Sequence, residues 1–190
     1  MFMDEGMDTG DMILKEKVEI RENETTGELW EKLSNIGAKL LVETLSKIEE
    51  ASEKIDINEA DTDCSENNMT KDDKIKQKIK SLVGATKQGE NFTLAPMLNK
   101  EMAEIDWNKT AIQIYNLIRG LDPIMGTYTF YNEKKLKIWK SKLLNEEECM
   151  NMPDNVENCQ NGQIVLCNKK YGLFVKTGQG ILSILEIQPE

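Results

Sequence analysis

Histidine is absent from this 190-residue chain. Because imidazole is the side chain best suited to proton transfer near neutral pH, any catalysis must rely on carboxylates or on an imidazole supplied from elsewhere. The four cysteines show no Cys-x-x-Cys spacing, and without histidine little remains to complete a zinc site. The sequence therefore predicts free thiols and no bound metal.

Long apolar runs are missing as well. No segment approaches the length needed to cross a bilayer, and the chain starts with acidic residues where a secretion signal would carry basic ones. We therefore expect a cytoplasmic protein with no membrane partner.

Positive charge is outnumbered, because 24 basic side chains stand against 34 acidic ones and the formal net charge is −10. A general nucleic-acid binder derives much of its affinity from lysine and arginine on phosphates, so this balance argues against that class. The acid is concentrated in residues 1–50, which carry thirteen acidic and six basic side chains. Residues 91–190 carry twelve acidic and eleven basic side chains, so the average charge hides a nearly neutral C-terminal half with local basic clusters.

The chain begins with an acidic, glycine-containing stretch, Met3–Met12. Gly6 and Gly10 permit tight turns, and such a turn can aim the carboxylate of Asp8 into a cleft. The same carboxylate could instead cap backbone amides of its own turn. After this loop, polar and apolar residues alternate over Lys17–Ile20, which predicts a half-buried strand.

A long amphipathic helix should follow, because Thr25 and Glu28 have the spacing of a capping box. Apolar residues then recur at steps of three and four, which predicts one face packed in a core. That stripe consists of Leu29, Leu33, Ile36, Leu40, Leu41, Thr44, Leu45 and Ile48.

The stretch from Ala51 to Lys80 is mostly polar and buries too little apolar surface to offset the entropy of ordering. We interpret Ser52–Asn68 as a linker or surface loop. Asp72–Val83 has apolar residues at helical spacing with lysines outside them, which predicts a short amphipathic helix. This helix could contact RNA, but a solvated charged face is the simpler interpretation.

A second domain is predicted to begin near Phe92. Asn108 or Asp106 can cap a helix that ends at Gly120 and Pro123. One face of this helix is predicted to be apolar, with Ala111, Ile114, Tyr115 and Ile118. The pattern beyond it is that of short strands separated by turns, typical of a small antiparallel barrel or sandwich. The predicted strands are Thr127–Tyr131, Lys135–Leu143, Gly162–Cys167, Tyr171–Lys176 and Ile181–Ile187.

The second of these strands has a basic face. Alternation places Leu136 and Ile138 on one side. The other side carries Lys135, Lys137 and Trp139. Lysines can bind a phosphate backbone, and an aromatic ring beside them can stack on a base. A strand kept soluble by lysine would look the same, and the residues alone favour neither interpretation.

Seven segments, taken in order, resemble the methionyl-tRNA formyltransferases. The resemblance runs collinearly over nearly the whole chain apart from the acidic insert. The segments are Met3–Met12, the stretch through Ile20, Glu24–Leu29, Ala95–Leu98, Ile105–Trp107, Ile118–Pro123 and Leu136–Lys140.

The resemblance implies an α+β protein with three parts. Residues 1–50 would be the remnant of a Rossmann-like formyltransferase domain, consisting of a loop, a strand and a long helix. Residues 51–90 would be a linker with an insertion, and residues 91–190 an OB-fold-like antiparallel β-barrel that binds tRNA. The implied reaction, in translation initiation, moves a formyl group from 10-formyltetrahydrofolate to the amino group of methionyl initiator tRNA. The intact enzyme would be a monomer.

The resemblance also implies site residues. The family's active site combines an Asn, a His and an Asp, of which only the Asp has a counterpart here, Asp8. The folate donor would lie against Asp4, Gly6 and Met7. The expected tRNA contacts are Arg119, Lys135, Lys137, Trp139 and Lys140, and no metal is implied.

This chain departs from the family's pattern at two places. Asp122–Met125 stands where the family has Asn-Pro-Trp-Pro, and Ser52–Lys80 is a longer insertion. Because the family's Asn, His and Ser-Leu-Leu-Pro segment would lie upstream of Met1, we expect a C-terminal fragment with little activity alone. Part of the helical stripe would then face water, namely Leu33, Leu40 and Leu41. The alternatives are a non-catalytic tRNA-binding module and a related folate-dependent amino-sugar formyltransferase.

Overall fold

A computed structural model describes residues 1–55, 70–89, 91, 93–150, 152–153 and 156–189. The chain divides into two compact units. The first consists of Met1–Glu19 and Lys32–Ala95, and the second of Ile20–Glu31 and Pro96–Glu190. Most of the predicted linker Ser52–Asn68 lies outside the described residues.

Two helices, α1 over Thr26–Glu53 and α2 over Lys71–Leu82, confirm the helical periodicity of the first half of the chain. The capping box predicted for α1 is present. The Thr25 amide donates to Glu28 Oε2 at 2.9 Å, and the Glu28 amide donates to Thr25 Oγ1 at 3.3 Å. Helix α2 starts with a second capping box, between Thr70 and Asp73. This box lowers the pKa of Asp73, first through the hydrogen bond from the Thr70 hydroxyl.

The strand predicted through Lys17–Ile20 is wrong. These residues form no regular secondary structure, and Ile20 is exposed. Period-two alternation yields a strand only where a neighbouring strand accepts its backbone hydrogen bonds. In the described part of this segment, such pairing is confined to an isolated bridge between Met12 and Thr86, so the ladder stops before the alternating residues begin.

Three of the eight residues in the apolar stripe of α1 are exposed, and the other five are only half-buried. The exposed fractions of Leu33, Leu41 and Leu45 are 46%, 59% and 58%, while Leu40 is half-buried. The interpretation of the stripe as core packing is therefore wrong in this structure. The expectation that Leu33, Leu40 and Leu41 face water is confirmed for Leu33 and Leu41 and wrong for the half-buried Leu40. Exposed apolar patches of this kind promote association.

The second unit is built on one antiparallel sheet of five strands in the order β1-β2-β5-β4-β3. The strands are β1 Thr127–Tyr131, β2 Lys134–Leu143, β3 Ile164–Asn168, β4 Gly172–Lys176 and β5 Ile181–Pro189. A short helix, α4, covers Glu146–Met150, and two 3-10 turns cover Glu101–Ala103 and Val156–Asn158. All five predicted strands are confirmed within two residues at their starts and ends.

Helix α3, Ala111–Leu121, covers this sheet. Its predicted cap, Asn108 or Asp106, is wrong, because Thr110 and Gln113 form a capping box that satisfies both of their backbone amides. The predicted apolar face is confirmed. It packs into a core with residues of β2, β4 and β5, consisting of Ile105, Ile114, Tyr115, Ile118, Ile138, Val175, Leu182 and Ile184.

Trp107 connects the two edges of the sheet. Its indole Nε1 donates to Thr129 Oγ1 of β1 at 2.9 Å. On the other side its ring lies so close to Gly162, before β3, that a Cβ there would be 3.0 Å from Trp107 Cδ1. The antiparallel sheet is confirmed, but among the described residues no ladder joins β1 to β3, so closure into a barrel is not established.

We predict that Ile118→Ala lowers the free energy of unfolding by about 2–5 kcal/mol, because this side chain is 2% exposed in the core. The matched control is Ile112→Ala on the same helix, where the side chain is 49% exposed and a loss below about 1 kcal/mol is expected. Urea unfolding followed by tryptophan fluorescence measures both. Equal losses would contradict this description of the core.

Candidate functional site

The acidic stretch at the start of the chain forms a closed loop, Phe2–Asp11, which we call the N-terminal loop. The amide of Phe2 donates to the carbonyl of Asp11 at 2.9 Å and joins its two ends. Gly10 is buried at this closure, and a Cβ on it would lie 1.8 Å from the Phe2 carbonyl oxygen. Only glycine fits there, so the predicted need for glycine in this turn has a physical cause.

Three side chains from the α2 region hold the N-terminal loop. Gln88 Nε2 donates to the carbonyl oxygens of Asp8 and Gly10, at 2.6 and 3.0 Å. Lys80 forms an ion pair with Asp11 at 2.7 Å and lies 5.5 Å above the ring of Phe2. Lys76 Nζ donates to the Met3 carbonyl at 3.2 Å. Two lysines of α2 thus contact this loop.

The four residues predicted to serve the active site lie together in this loop. Asp8 has a left-handed backbone conformation, φ 57°, and its side chain is exposed. Asp4 caps the next amide, since its Oδ1 accepts from Glu5 at 2.9 Å. Met7 is 92% exposed. A Cβ on Gly6 would lie 2.6 Å from Thr9 Oγ1, so a side chain there would displace that of Thr9. The loop presents the Asp8 carboxylate to solvent.

In the second unit, the β1–β2 hairpin carries a surface of alternating rings and ammonium groups. Tyr128 faces Lys137 across the two strands, and Phe130 faces Lys135. Trp139 follows on the same side of β2. We call Tyr128, Phe130, Lys135, Lys137 and Trp139 the basic-aromatic face. Leu136 and Ile138 point to the opposite side, as alternation predicted, and Ile138 is buried.

Each lysine of this face lies against a ring. Lys135 Nζ is 4.5 Å from the centroid of Tyr128, and Lys137 Nζ is 5.6 Å from that of Trp139. Hydrogen bonds orient the rings, from Tyr128 to Glu104 at 3.1 Å and from Trp139 Nε1 to Gln188 Oε1 at 2.8 Å. Desolvation, and then the bond to Glu104, raise the pKa of the Tyr128 phenol, so it stays a neutral donor.

The other two residues predicted to contact tRNA, Arg119 and Lys140, are already engaged by acceptors within the second unit. Arg119 Nη1 donates to the Glu24 carbonyl at 2.8 Å, and its Nε donates to Asn116 Oδ1 at 2.8 Å. Lys140 forms an ion pair with Glu186 at 2.9 Å, and this hydrogen bond raises the pKa of Lys140.

Arg119, Lys140 and Trp139 nevertheless line one cavity of about 160 Å³. Tyr115 and Asn23 close another side of the cavity, where the Tyr115 hydroxyl donates to Asn23 Oδ1 at 2.9 Å. Three of the predicted tRNA contacts therefore share one depression in the surface of the second unit, and Trp139 also belongs to the basic-aromatic face.

Sequence reasoning missed Gln88, Tyr128 and Phe130. For the two aromatic residues a signal existed, since the two-residue turn Asn132-Glu133 sets the register that places them beside the lysines. For Gln88 no local signal existed, because its contacts lie about 80 residues away in the chain.

Among the described residues, no group of three or more acidic, cysteine or histidine side chains is placed to hold a metal ion. The described helices are each too short or too polar to span a bilayer.

Two family models match this chain. The model described as "Formyl transferase" matches residues 1–45, and the one described as "Formyl transferase, C-terminal domain" matches residues 97–190. The chain is also 38% identical, over its full length, to a methionyl-tRNA formyltransferase from Caldanaerobacter subterraneus subsp. tengcongensis, of which it covers 48%. A protein of the same name from Clostridioides difficile is 37% identical over 99% of the chain, and the chain covers 48% of that protein.

These matches show that the chain belongs to the formyl transferase family. It joins part of the N-terminal domain to the C-terminal domain. More particularly, it is a homologue of the methionyl-tRNA formyltransferases and spans about half the length of the relatives it matches.

We predict that Gly10→Ala opens the N-terminal loop, because the added methyl group would collide with the Phe2 carbonyl. The Met12 and Thr86 amides, which bond each other's carbonyls at 2.8 and 2.9 Å, should then exchange with solvent about fivefold or more faster, the equivalent of one lost hydrogen bond. The control is Gly89→Ala, where a Cβ meets nothing within 4 Å. Unchanged exchange in Gly10→Ala would contradict the closed loop.

Proposed function

We propose that this chain contributes the Asp8 loop and the tRNA-binding domain of a methionyl-tRNA formyltransferase. The observation that carries the proposal is the collinear similarity to these enzymes over the whole chain, which includes the loop that presents Asp8. The substrates would be a formyl-folate, 10-formyltetrahydrofolate, and methionyl initiator tRNA. The reaction belongs to translation initiation, and we infer a cytoplasmic location from that role.

The chemistry needs a proton acceptor and an oxyanion site. The amino nitrogen of the methionyl group attacks the formyl carbon and forms a tetrahedral intermediate with a negative oxygen and a positive nitrogen. The bond from that carbon to the folate nitrogen then breaks, the amine proton passes to a base, and the folate nitrogen gains a proton.

Asp8 is suited to assist this transfer as an acceptor. Its carboxylate is exposed, while its backbone is held by Gln88, so the group can meet a ligand without moving the loop. Because the chain has no histidine, an imidazole from outside these 190 residues would take the proton, and Asp8 would orient it and stabilise its charged form. Asp4, Gly6 and Met7 would contact the folate.

The second unit would bind the tRNA. We propose that its five-stranded sheet is the OB-fold-like element of the family, and that Lys135, Lys137 and Trp139 contact the RNA directly. Arg119 and Lys140 would contribute through the cavity they share. The Glu24 carbonyl occupies one donor of Arg119, and the Glu186 carboxylate offsets part of the charge of Lys140.

The absence of histidine favours a second candidate function, a tRNA-binding module that acts without catalysis. The basic-aromatic face would suffice for that role. The similarity to tRNA enzymes favours both functions over an amino-sugar formyltransferase.

We predict that Asp8→Asn lowers the rate constant of formyl transfer about 100-fold or more, with little change in tRNA affinity, because the amide cannot stabilise a charged imidazole. The assay joins the chain to the complementary half of the Caldanaerobacter enzyme and measures single-turnover formylation of methionyl initiator tRNA. Glu5→Gln serves as a matched control for the loss of one negative charge in the same loop, because Glu5 is exposed there and has no proposed contact with the ligand. Full activity in Asp8→Asn would remove Asp8 from the mechanism.

We predict that Lys137→Ala weakens the binding of initiator tRNA by the chain and reduces the slope of log K against log salt by about 1, because one phosphate contact is lost. Lys47→Ala is the control, since Lys47 pairs with Glu43 on the surface of α1 and should contribute nothing. Filter binding at several salt concentrations measures both. If wild-type protein binds initiator tRNA no better than competitor RNA, the specific tRNA function fails.

A further inference from the structure

Phe130 is the exposed aromatic ring of the basic-aromatic face. Its side chain is 57% exposed, although phenylalanine is among the residues most often buried. It packs edge-to-face against Tyr128, with 5.9 Å between ring centroids and an angle of 88°. This contact orients the ring without covering it, so a flat surface remains available to a ligand.

The neighbouring lysines are held against the other two rings of this face. Lys135 lies across the hairpin from Phe130 and over the ring of Tyr128, and Lys137 lies over Trp139. Because a cation above a ring needs little reorganisation to reach a nearby anion, both ammonium groups are prepared for an anionic ligand.

The spacing suits a chain of anions. Lys135 and Lys137 are two residues apart on one strand, so their Cα atoms are about 6.8 Å apart. That distance is close to the separation of successive phosphates in an extended nucleic-acid strand. The hairpin and the rest of β2, residues 127–143, carry five lysines and one glutamate in a chain of net charge −10. The local charge therefore complements a polyanion.

We propose that the basic-aromatic face binds unpaired nucleotides of RNA, with one base stacked on Phe130 and the flanking phosphates on Lys135 and Lys137. The inference rests on the proposed function for the identity of the RNA and specifies which part of it is bound. A base in a duplex is covered on both sides by its neighbours, so only an unpaired base can offer a face to Phe130.

The test uses the full chain and a single-stranded RNA hexamer with 2-aminopurine at its centre, whose fluorescence is quenched by stacking. Wild-type protein should quench it, and Phe130→Leu should weaken binding about tenfold and remove most of the quenching. Tyr131→Leu is the matched control, because Tyr131 is the next residue, is 54% exposed and points to the opposite face of the strand. Circular dichroism checks that both variants are folded.

Two further measurements decide the ligand class. Binding of a duplex of the same sequence should be unaffected by Phe130→Leu. The inference is overturned if the variant binds the hexamer like the wild type, if it loses hexamer and duplex equally, or if a polyglutamate peptide displaces the hexamer at equal charge concentration. Where initiator tRNA is bound specifically but Phe130→Leu changes nothing, only the stacking inference fails. Where the hexamer stacks but initiator tRNA is not preferred, the proposed function fails instead.

Discussion

The antiparallel pairing of β1 with β2 is the interaction on which both the core and the surface of the second unit depend. Its register places Thr127 opposite Ile138, and the fully buried Thr127 hydroxyl donates to the Ile138 carbonyl at 2.7 Å. A slip of one residue would bury Lys137 and expose Ile138, at the cost of a buried charge. Gly126, with φ 66°, allows the chain to pass close to Trp139 before β1 begins, since a Cβ there would lie 2.8 Å from the Trp139 ring.

Much of this architecture follows from short-range pattern. Alternation and turn residues predict the strands β1 and β2, and helical spacing predicts the buried face of α3 around Ile114 and Ile118. The same reasoning fails for Lys17–Ile20, where alternation exists but the backbone finds no neighbouring strand. A local pattern states what a segment can do, whereas pairing depends on what the rest of the chain brings beside it.

The N-terminal loop shows the same limit at the level of the candidate site. Its glycines and Asp8 are visible in the sequence, but its shape depends on Gln88 and Lys80, which approach from positions about 70 to 80 residues later. Side-chain bonds over such separations leave no periodic trace. Lys80 lies on a helix whose composition suggests a solvated surface, yet its ion pair with Asp11 is only about a quarter exposed.

A strongly acidic chain can still present a surface for RNA if its positive charge is concentrated where the ligand binds. At physiological ionic strength, exposed charges more than about 8 Å away are largely screened, so the net charge of −10 affects a local contact little. Contact with RNA would depend on the charges close to it, which are the positive charges of Lys135 and Lys137 and the negative charge of Glu104. Because the Glu104 carboxylate accepts a hydrogen bond from the Tyr128 hydroxyl, part of its charge is directed into the hairpin rather than toward a ligand. The aromatic rings thus hold the two lysines in place, and Tyr128 also binds the Glu104 carboxylate. The arrangement of the rings therefore matters more here than the number of charges.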